Sequence, residues 1–214
     1  MAGSLEGFVG RFGAGKTLLM TWRAYKAQGN YDELWSNYTL VPEFFPKVEL
    51  HKFTTGDEFF AMIRNALDRV DGRPGGIRRL LVIDEIHSLF DARAWAQLPL
   101  EALTPLSQLR KAGLTILYTS QHESQVEKRI RNYTNFMWLC RSWGRDFNIL
   151  RDAPLVFWAT AYDNFEFRRP GAEKLGSVVF RVSKKKARLY DTFEVVERMS
   201  MEGLGTNALG PDSG

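Results

Sequence analysis

The sequence predicts an α/β fold: a mostly parallel central sheet covered by helices, extended toward the C-terminus by antiparallel strands. Three observations carry this. Strand-like and helix-like segments alternate over residues 5–141, which is the signature of a parallel sheet with helical crossovers. Two runs, "LLVID" (80–84) and "LTILYTS" (114–120), are almost continuously apolar, as strands buried on both faces must be. After Arg141 the strand-like segments follow one another with no helix between them.

In chain order, "LEGFVG" is a short apolar strand ending in glycine, and "KTLLMTWRAYKAQG" follows at helical spacing and stops at Gly29. "ELWSNYTLV" and "KVELHKF" alternate as strands. "TTGDEFFAMIRNALDRV" is a helix with Thr54 or Thr55 at its N-cap. "DGRPGGIRR" is a turn-rich break. "LLVID" is a buried strand, "EALTPLSQLRKAG" a helix ended by Gly113, and "LTILYTS" a second buried strand. "ESQVEKRIRN" reads as a short polar helix and "NFMWLCR" as a strand. "LVFWATAYDNFEF", "SVVFRVS" and "ARLYDTFEVV" form the antiparallel extension. Residues 1–202 are expected to be a single domain, and the Gly-rich residues 203–214 a flexible tail.

Composition narrows the class. The 214 residues suffice for a sizeable core. A net charge of +4 is compatible with nucleic-acid binding and does not require it. Cys140 is the sole cysteine, so no internal disulfide forms. It lies in the apolar run "NFMWLC" and reads as a core residue. His51, His87, His122 and Cys140 show no zinc-ligand spacing. No apolar stretch reaches the length of a membrane span, and no signal-peptide pattern opens the chain.

The chemistry is concentrated in "GRFGAGKT", residues 10–17. It fits G-x-x-x-x-G-K-[ST], between a strand and a helix that starts at the lysine. A triphosphate is strongly anionic. Backbone N–H groups of Gly10, Arg11, Phe12, Gly13, Ala14, Gly15, Lys16, Thr17 and Leu18, in a glycine-permitted turn opening a helix, surround it with partial positive charge. Lys16 reaches the β and γ phosphates, and Thr17 offers a hydroxyl to Mg²⁺. At the carboxyl end of "LLVIDE", Asp84 is the second Mg²⁺ candidate and Glu85 the group that polarises the attacking water. Gln121 follows the next buried strand, where an amide can sense the γ phosphate. The expected cofactors are therefore ATP and Mg²⁺. No Asn-Lys-x-Asp segment marks a small GTPase. A P-loop kinase is less firmly excluded. A nucleotide-switched binding protein has no need of Glu85.

Together these parts resemble the RecA-like P-loop ATPases. "LRKAGLTILYTSQ" is similar to the FtsK-HerA superfamily, and "TSQHESQVEKRIRNYTNFMWLCRS" with the late "LYDTFEVV" resembles the zonula occludens toxin-like (Zot) phage assembly ATPases. The resemblance implies a RecA-like core and a homo-oligomeric ring, usually a hexamer. It implies a trans-acting arginine finger, for which Arg110 matches best, with Arg129 and Arg131 behind it; Arg110 also reads as a cation at a helix C-terminus. Two functions follow from it. One is a viral genome-packaging ATPase that drives double-stranded DNA into a preformed capsid, with a capsid, portal or membrane protein as partner. The other is a Zot-like assembly or extrusion ATPase acting at a membrane with a partner protein. The expected setting is the host cytoplasm or the virion. A translocase holds phosphates without reading bases, and Lys184, Lys185, Lys186 and Arg188 form the densest basic set for such contacts, although each basic cluster also fits a solvated face.

Overall fold

The computed structural model describes residues 3–68, 76–89, 108–109, 112–143, 156–167 and 169–191. The segment "EALTPLSQLRKAG" lies largely outside the described residues, as does the tail at 203–214. Eight strands form one sheet: β1 (Leu5–Val9), β2 (Glu33–Ser36), β3 (Glu49–Lys52), β4 (Arg79–Ile83), β5 (Leu114–Ser120), β6 (Phe136–Trp143), β7 (Val156–Asp163) and β8 (Lys174–Arg181). Their spatial order is β3-β2-β4-β5-β1-β6-β7-β8. β1 through β6 pair in parallel. β7 and β8 add antiparallel strands, as expected from the change after Arg141.

The apolar runs are buried on both faces. Every residue of β4 and of β5 is buried. Phe8, Leu80, Val82, Leu117 and Cys140 face α1 (Lys16–Ala27), whose Leu18, Leu19, Met20 and Ala24 pack on them. Leu81, Ile83, Ile116 and Tyr118 face α2 (Gly56–Asp68). There Phe59, Phe60, Met62, Ile63 and Ala66 recur at helical spacing and are all buried. Each large apolar side chain so removed from water contributes on the order of 1.5–3 kcal/mol. The two covered faces hold the carboxyl ends of β1, β4 and β5 in one row.

The ends of the elements differ from the sequence expectation in specific ways. α1 passes into a 3₁₀ turn at Gln28–Asn30, so Gly29 lies beyond its last α-helical turn. The strand in "ELWSNYTLV" stops at Ser36, because Ser36 Oγ donates to the Tyr38 carbonyl and turns the chain. A short helix, α3 (Ile86–Leu89), follows β4. "ESQVEKRIRN" is not one helix. It divides into a 3₁₀ turn at Glu123–Gln125 and α4 (Lys128–Tyr133), because the Glu127 carboxylate caps α4 by accepting from the Arg129 and Ile130 N–H groups. "ARLYDTFEVV" is corrected too. Its start belongs to α5 (Lys184–Ala187), and Tyr190 makes a single antiparallel bridge to Leu40. Residues from 192 on lie outside the described part.

Candidate functional site

The loop at 10–17 joins the carboxyl end of β1 to α1, and two of its glycines are required by what surrounds them. Gly15 has φ +77°, and a Cβ there would meet the Phe157 ring at 2.6 Å. A Cβ on Gly10 would run into the Cys140 carbonyl. The loop therefore rests on β6 and β7. Ala14 and Lys16 are buried, whereas Arg11 and Phe12 project into solvent. Lys16 is 6% exposed. Its ammonium donates to the Arg11 carbonyl at 3.4 Å, near the limit of a hydrogen bond. Among the described residues no carboxylate forms an ion pair with it.

Asp84 emerges at the end of β4, where three elements converge on it. Thr17 Oγ1 and Thr119 Oγ1 both donate to its Oδ1, at 2.7 and 2.6 Å. Asn37, just past β2, clamps its main chain from both sides: Asp84 N–H donates to Asn37 Oδ1 at 2.8 Å, and Asn37 Nδ2 donates to the Asp84 carbonyl at 2.9 Å. Glu85 has a positive φ of 49°, rare for a residue with a side chain. Its N–H donates to Thr119 Oγ1 at 2.8 Å. Burial pushes the Glu85 carboxyl above its ordinary value; the neighbouring Asp84 charge pushes the same way, and Lys16 and His87 oppose it. Glu85 Oε2 is buried without a hydrogen bond. His87 Nδ1 lies 3.2 Å from it, out of alignment for one.

Below Asp84, Tyr38 and Thr21 share a buried hydroxyl contact of 2.7 Å. Tyr190 stacks edge-on against Tyr38. Burial and the Asp84 charge push its phenol up to about 12.

Gln121 is exposed at the end of β5 and lines a groove of about 840 Å³ beside the loop, together with Phe12, Arg141, Trp158 and Phe167. The structure thus brings together Lys16, Thr17, Asp84 and Glu85, with Gln121 at the rim. Burial pushes the Cys140 thiol up to about 12, in keeping with a core residue. Among the described residues no group of His, Cys, Asp or Glu has the form of a metal cluster.

The remaining candidates lie apart. Arg110 is outside the described residues. Arg129 pairs with Glu127 at 3.1 Å. Arg131 is half-buried on α4, which ends at the amino ends of β1 and β6, where Asn135 N–H meets the Leu5 carbonyl. The side chains of Lys184 and Lys185 are outside the described residues, and Arg188 is exposed. Lys186 is turned inward. It donates to the Arg181 carbonyl at 2.8 Å and lies over the Phe180 and Trp22 rings.

Thr119, Asn37 and His87 escaped the sequence reading. The available signal was a polar residue at the carboxyl end of an otherwise apolar strand, where ligands gather in such sheets.

The fold is thus α/β, a mixed and mostly parallel sheet flanked by helices, with the loop at 10–17 and Asp84 at the carboxyl ends of its strands. The family model described as "Zonular occludens toxin (Zot)" matches residues 53–144. The N-terminal domain of zonular occludens toxin from Neisseria meningitidis is similar in structure, with a TM-score of 0.56 and 14% identity, covering 89% of this chain and 100% of that one. The DNA-packaging ATPase from Sulfolobus Turreted Icosahedral Virus is similar with a TM-score of 0.52 and 15% identity, covering 77% and 95%. At such identities the likeness is one of fold. No curated protein matches the chain significantly.

Proposed function

We propose that the chain binds ATP on the loop at 10–17 and hydrolyses it, as an assembly ATPase of the Zot-like kind working with a partner protein at a membrane. The observation that carries this reading is the meeting of Thr17 and Thr119 on one oxygen of Asp84, beside a buried Lys16 that forms no ion pair among the described residues. The family match over 53–144 supports the phage-assembly side of it.

The residues fit a magnesium nucleotide. A buried ammonium with no ion pair among the described residues suits an anion, and a buried Glu85 oxygen that accepts no hydrogen bond among them suits a water. Lys16 and the loop N–H groups would bind the phosphates. Thr17 and Asp84 would hold Mg²⁺, which supplies charge neutralisation on the phosphate oxygens. Glu85 would orient a water and accept its proton; its raised affinity for protons makes it a better base than an exposed carboxylate. Gln121 would sense the γ phosphate. Arg110, Arg129 or Arg131 would act on the site of a neighbouring subunit in a ring of six.

The fold likeness to a DNA-packaging ATPase favours a second reading, a motor that translocates double-stranded DNA into a capsid. Lys184, Lys185 and Arg188 are then the candidate DNA contacts. Lys186 is the weakest of that set, since it is already engaged.

The test is ATP binding and turnover by the wild type, Lys16→Ala and Glu85→Gln. Lys16→Ala should weaken ATP binding by at least about 100-fold. Glu85→Gln should bind ATP and lose about 10²–10⁴ in turnover. Wild-type turnover by Glu85→Gln would remove the hydrolase assignment. Duplex DNA separates the two readings: a motor is stimulated by it independently of sequence and less so as salt rises, whereas an assembly ATPase is indifferent to it.

A further inference from the structure

Two buried polar atoms past the end of β4 face each other without a bond. Glu85 Oε2 and His87 Nδ1 are both shut off from water, and both lack a hydrogen bond among the described residues. They lie 3.2 Å apart, within the reach of an N–H···O bond but not aligned for one. Burying either atom unsatisfied is costly, and one change of angle would satisfy both.

The backbone puts them there. Residues two apart on a regular helix do not face each other. Here the chain is first held from two sides, Asp84 N–H on Asn37 Oδ1 and Glu85 N–H on Thr119 Oγ1, both at 2.8 Å. It then turns through the left-handed φ of 49° at Glu85, a conformation that a residue with a side chain keeps only where its surroundings impose it. Ile86, buried in the core with Ile83 and Tyr118, fixes the start of α3. His87 is thereby carried back beside Glu85. Each side chain keeps part of its surface in solvent, 34% for His87 and 27% for Glu85. What they turn inward, toward each other, is the Nδ1 edge of the ring and one oxygen of the carboxyl. Hydrogen bonds at a catalytic carboxylate are often out of line before substrate binds and close only with it.

We propose that His87 is a positioning residue for ATP hydrolysis: with ATP on the loop, its Nδ1–H donates to one oxygen of the Glu85 carboxylate and leaves the other directed at the attacking water. The proposal rests on the assignment of Glu85 above and adds to it the residue that aims it. The last torsion of a glutamate has no sharp preference of its own, so a donor on one oxygen is what sets the direction of the second. The water gives its proton to Glu85, and His87 keeps its own throughout. The imidazole touches neither ATP nor the water; it acts through Glu85.

The experiment is ATP hydrolysis and ATP binding by the full chain as wild type, His87→Ala, His87→Asn, His87→Gln, Glu85→Gln and the double variant His87→Ala with Glu85→Gln, each with its thermal melting. His87→Ala should lower kcat by about ten-fold or more and leave KM and ATP affinity within about two-fold, a loss felt in the chemical step and not in binding. The amide nitrogen of Asn stands near the place of Nδ1, and that of Gln near the place of Nε2. His87→Asn should therefore recover most of kcat, and His87→Gln should not. In the double variant the His87 change should cost nothing further, because its route to the reaction runs through Glu85. A wild-type kcat in His87→Ala, an Asn variant no better than Gln, or a loss in the double variant that multiplies the two single losses would each overturn the proposal. Where His87→Ala melts earlier than wild type, the contrast of Asn with Gln still decides. A wild type that does not hydrolyse ATP overturns the assignment of Glu85 as well, whereas a hydrolysing wild type beside an unimpaired His87→Ala removes His87 alone.

Discussion

Thr119 serves two neighbours with one hydroxyl, donating to Asp84 Oδ1 and accepting the Glu85 N–H. Thr119→Val keeps the β-branched shape and removes both bonds. It should lower stability by about 1–3 kcal/mol in urea titration, since a buried N–H and a carboxylate oxygen both lose a partner. ATP turnover should fall with it, and Thr119→Ser should restore most of that turnover while Val does not. Equal turnover in Val and wild type would mean that Asp84 needs no support from β5. Lys16 with Thr17, and Asp84 with Glu85, stand out in the sequence because each pair is local to a strand end; that the two pairs meet across 67 residues is a result of the fold. Thr119 was not legible because its role depends on register. Ile83 pairs with Tyr118, and only that pairing puts the next residue of β5 beside Asp84.

At the scale of the element, α2 shows a start that could be read in advance. Thr55 Oγ1 accepts the Glu58 N–H at 3.2 Å, and Glu58 Oε2 accepts from the Thr54 and Thr55 N–H groups, a reciprocal cap. These bonds, that from Thr54 foremost, hold the Glu58 carboxyl below its ordinary value. A depressed carboxyl stabilises the fold above its unfolded pKa and ceases to do so as pH falls through the folded one. Glu58→Ala should therefore cost about 0.5–2 kcal/mol at pH 7, and its gap from wild type should narrow as pH drops below about 4. Urea titrations at the two pH values check this; a constant gap would show that the cap carries no charge effect. The division of "ESQVEKRIRN" was harder to read. Periodicity runs through Val126 and Glu127, and only the Glu127 carboxylate, folding onto its own downstream N–H groups, reveals the break.

In the whole molecule, the antiparallel strands act as a bed for the loop. Phe157 of β7 is 5% exposed and lies against Gly15. Phe157→Ala should cost about 3–5 kcal/mol, and it should weaken ATP binding although Phe157 carries no polar group toward a phosphate. Phe157→Leu, nearer in volume, should recover most of both. Stability loss with unchanged ATP affinity would show that the loop holds its form without β7. The sequence disclosed that the strands after Arg141 are antiparallel. It did not disclose that β6 enters the sheet beside β1, because strand order is a property of distant pairings such as Phe8 with Trp138.

That bed has a consequence for the order in which the protein takes shape during synthesis. Residues 10–17 leave the ribosome well before Cys140 and Phe157, against which Gly10 and Gly15 are fitted. Until β6 and β7 arrive, the glycine turn has its own bond from Ala14 N–H to the Arg11 carbonyl but lacks the bed it is fitted against, and contacts this distant along the chain form slowly. The loop at 10–17 therefore takes its final form only after β6 and β7 have joined the sheet.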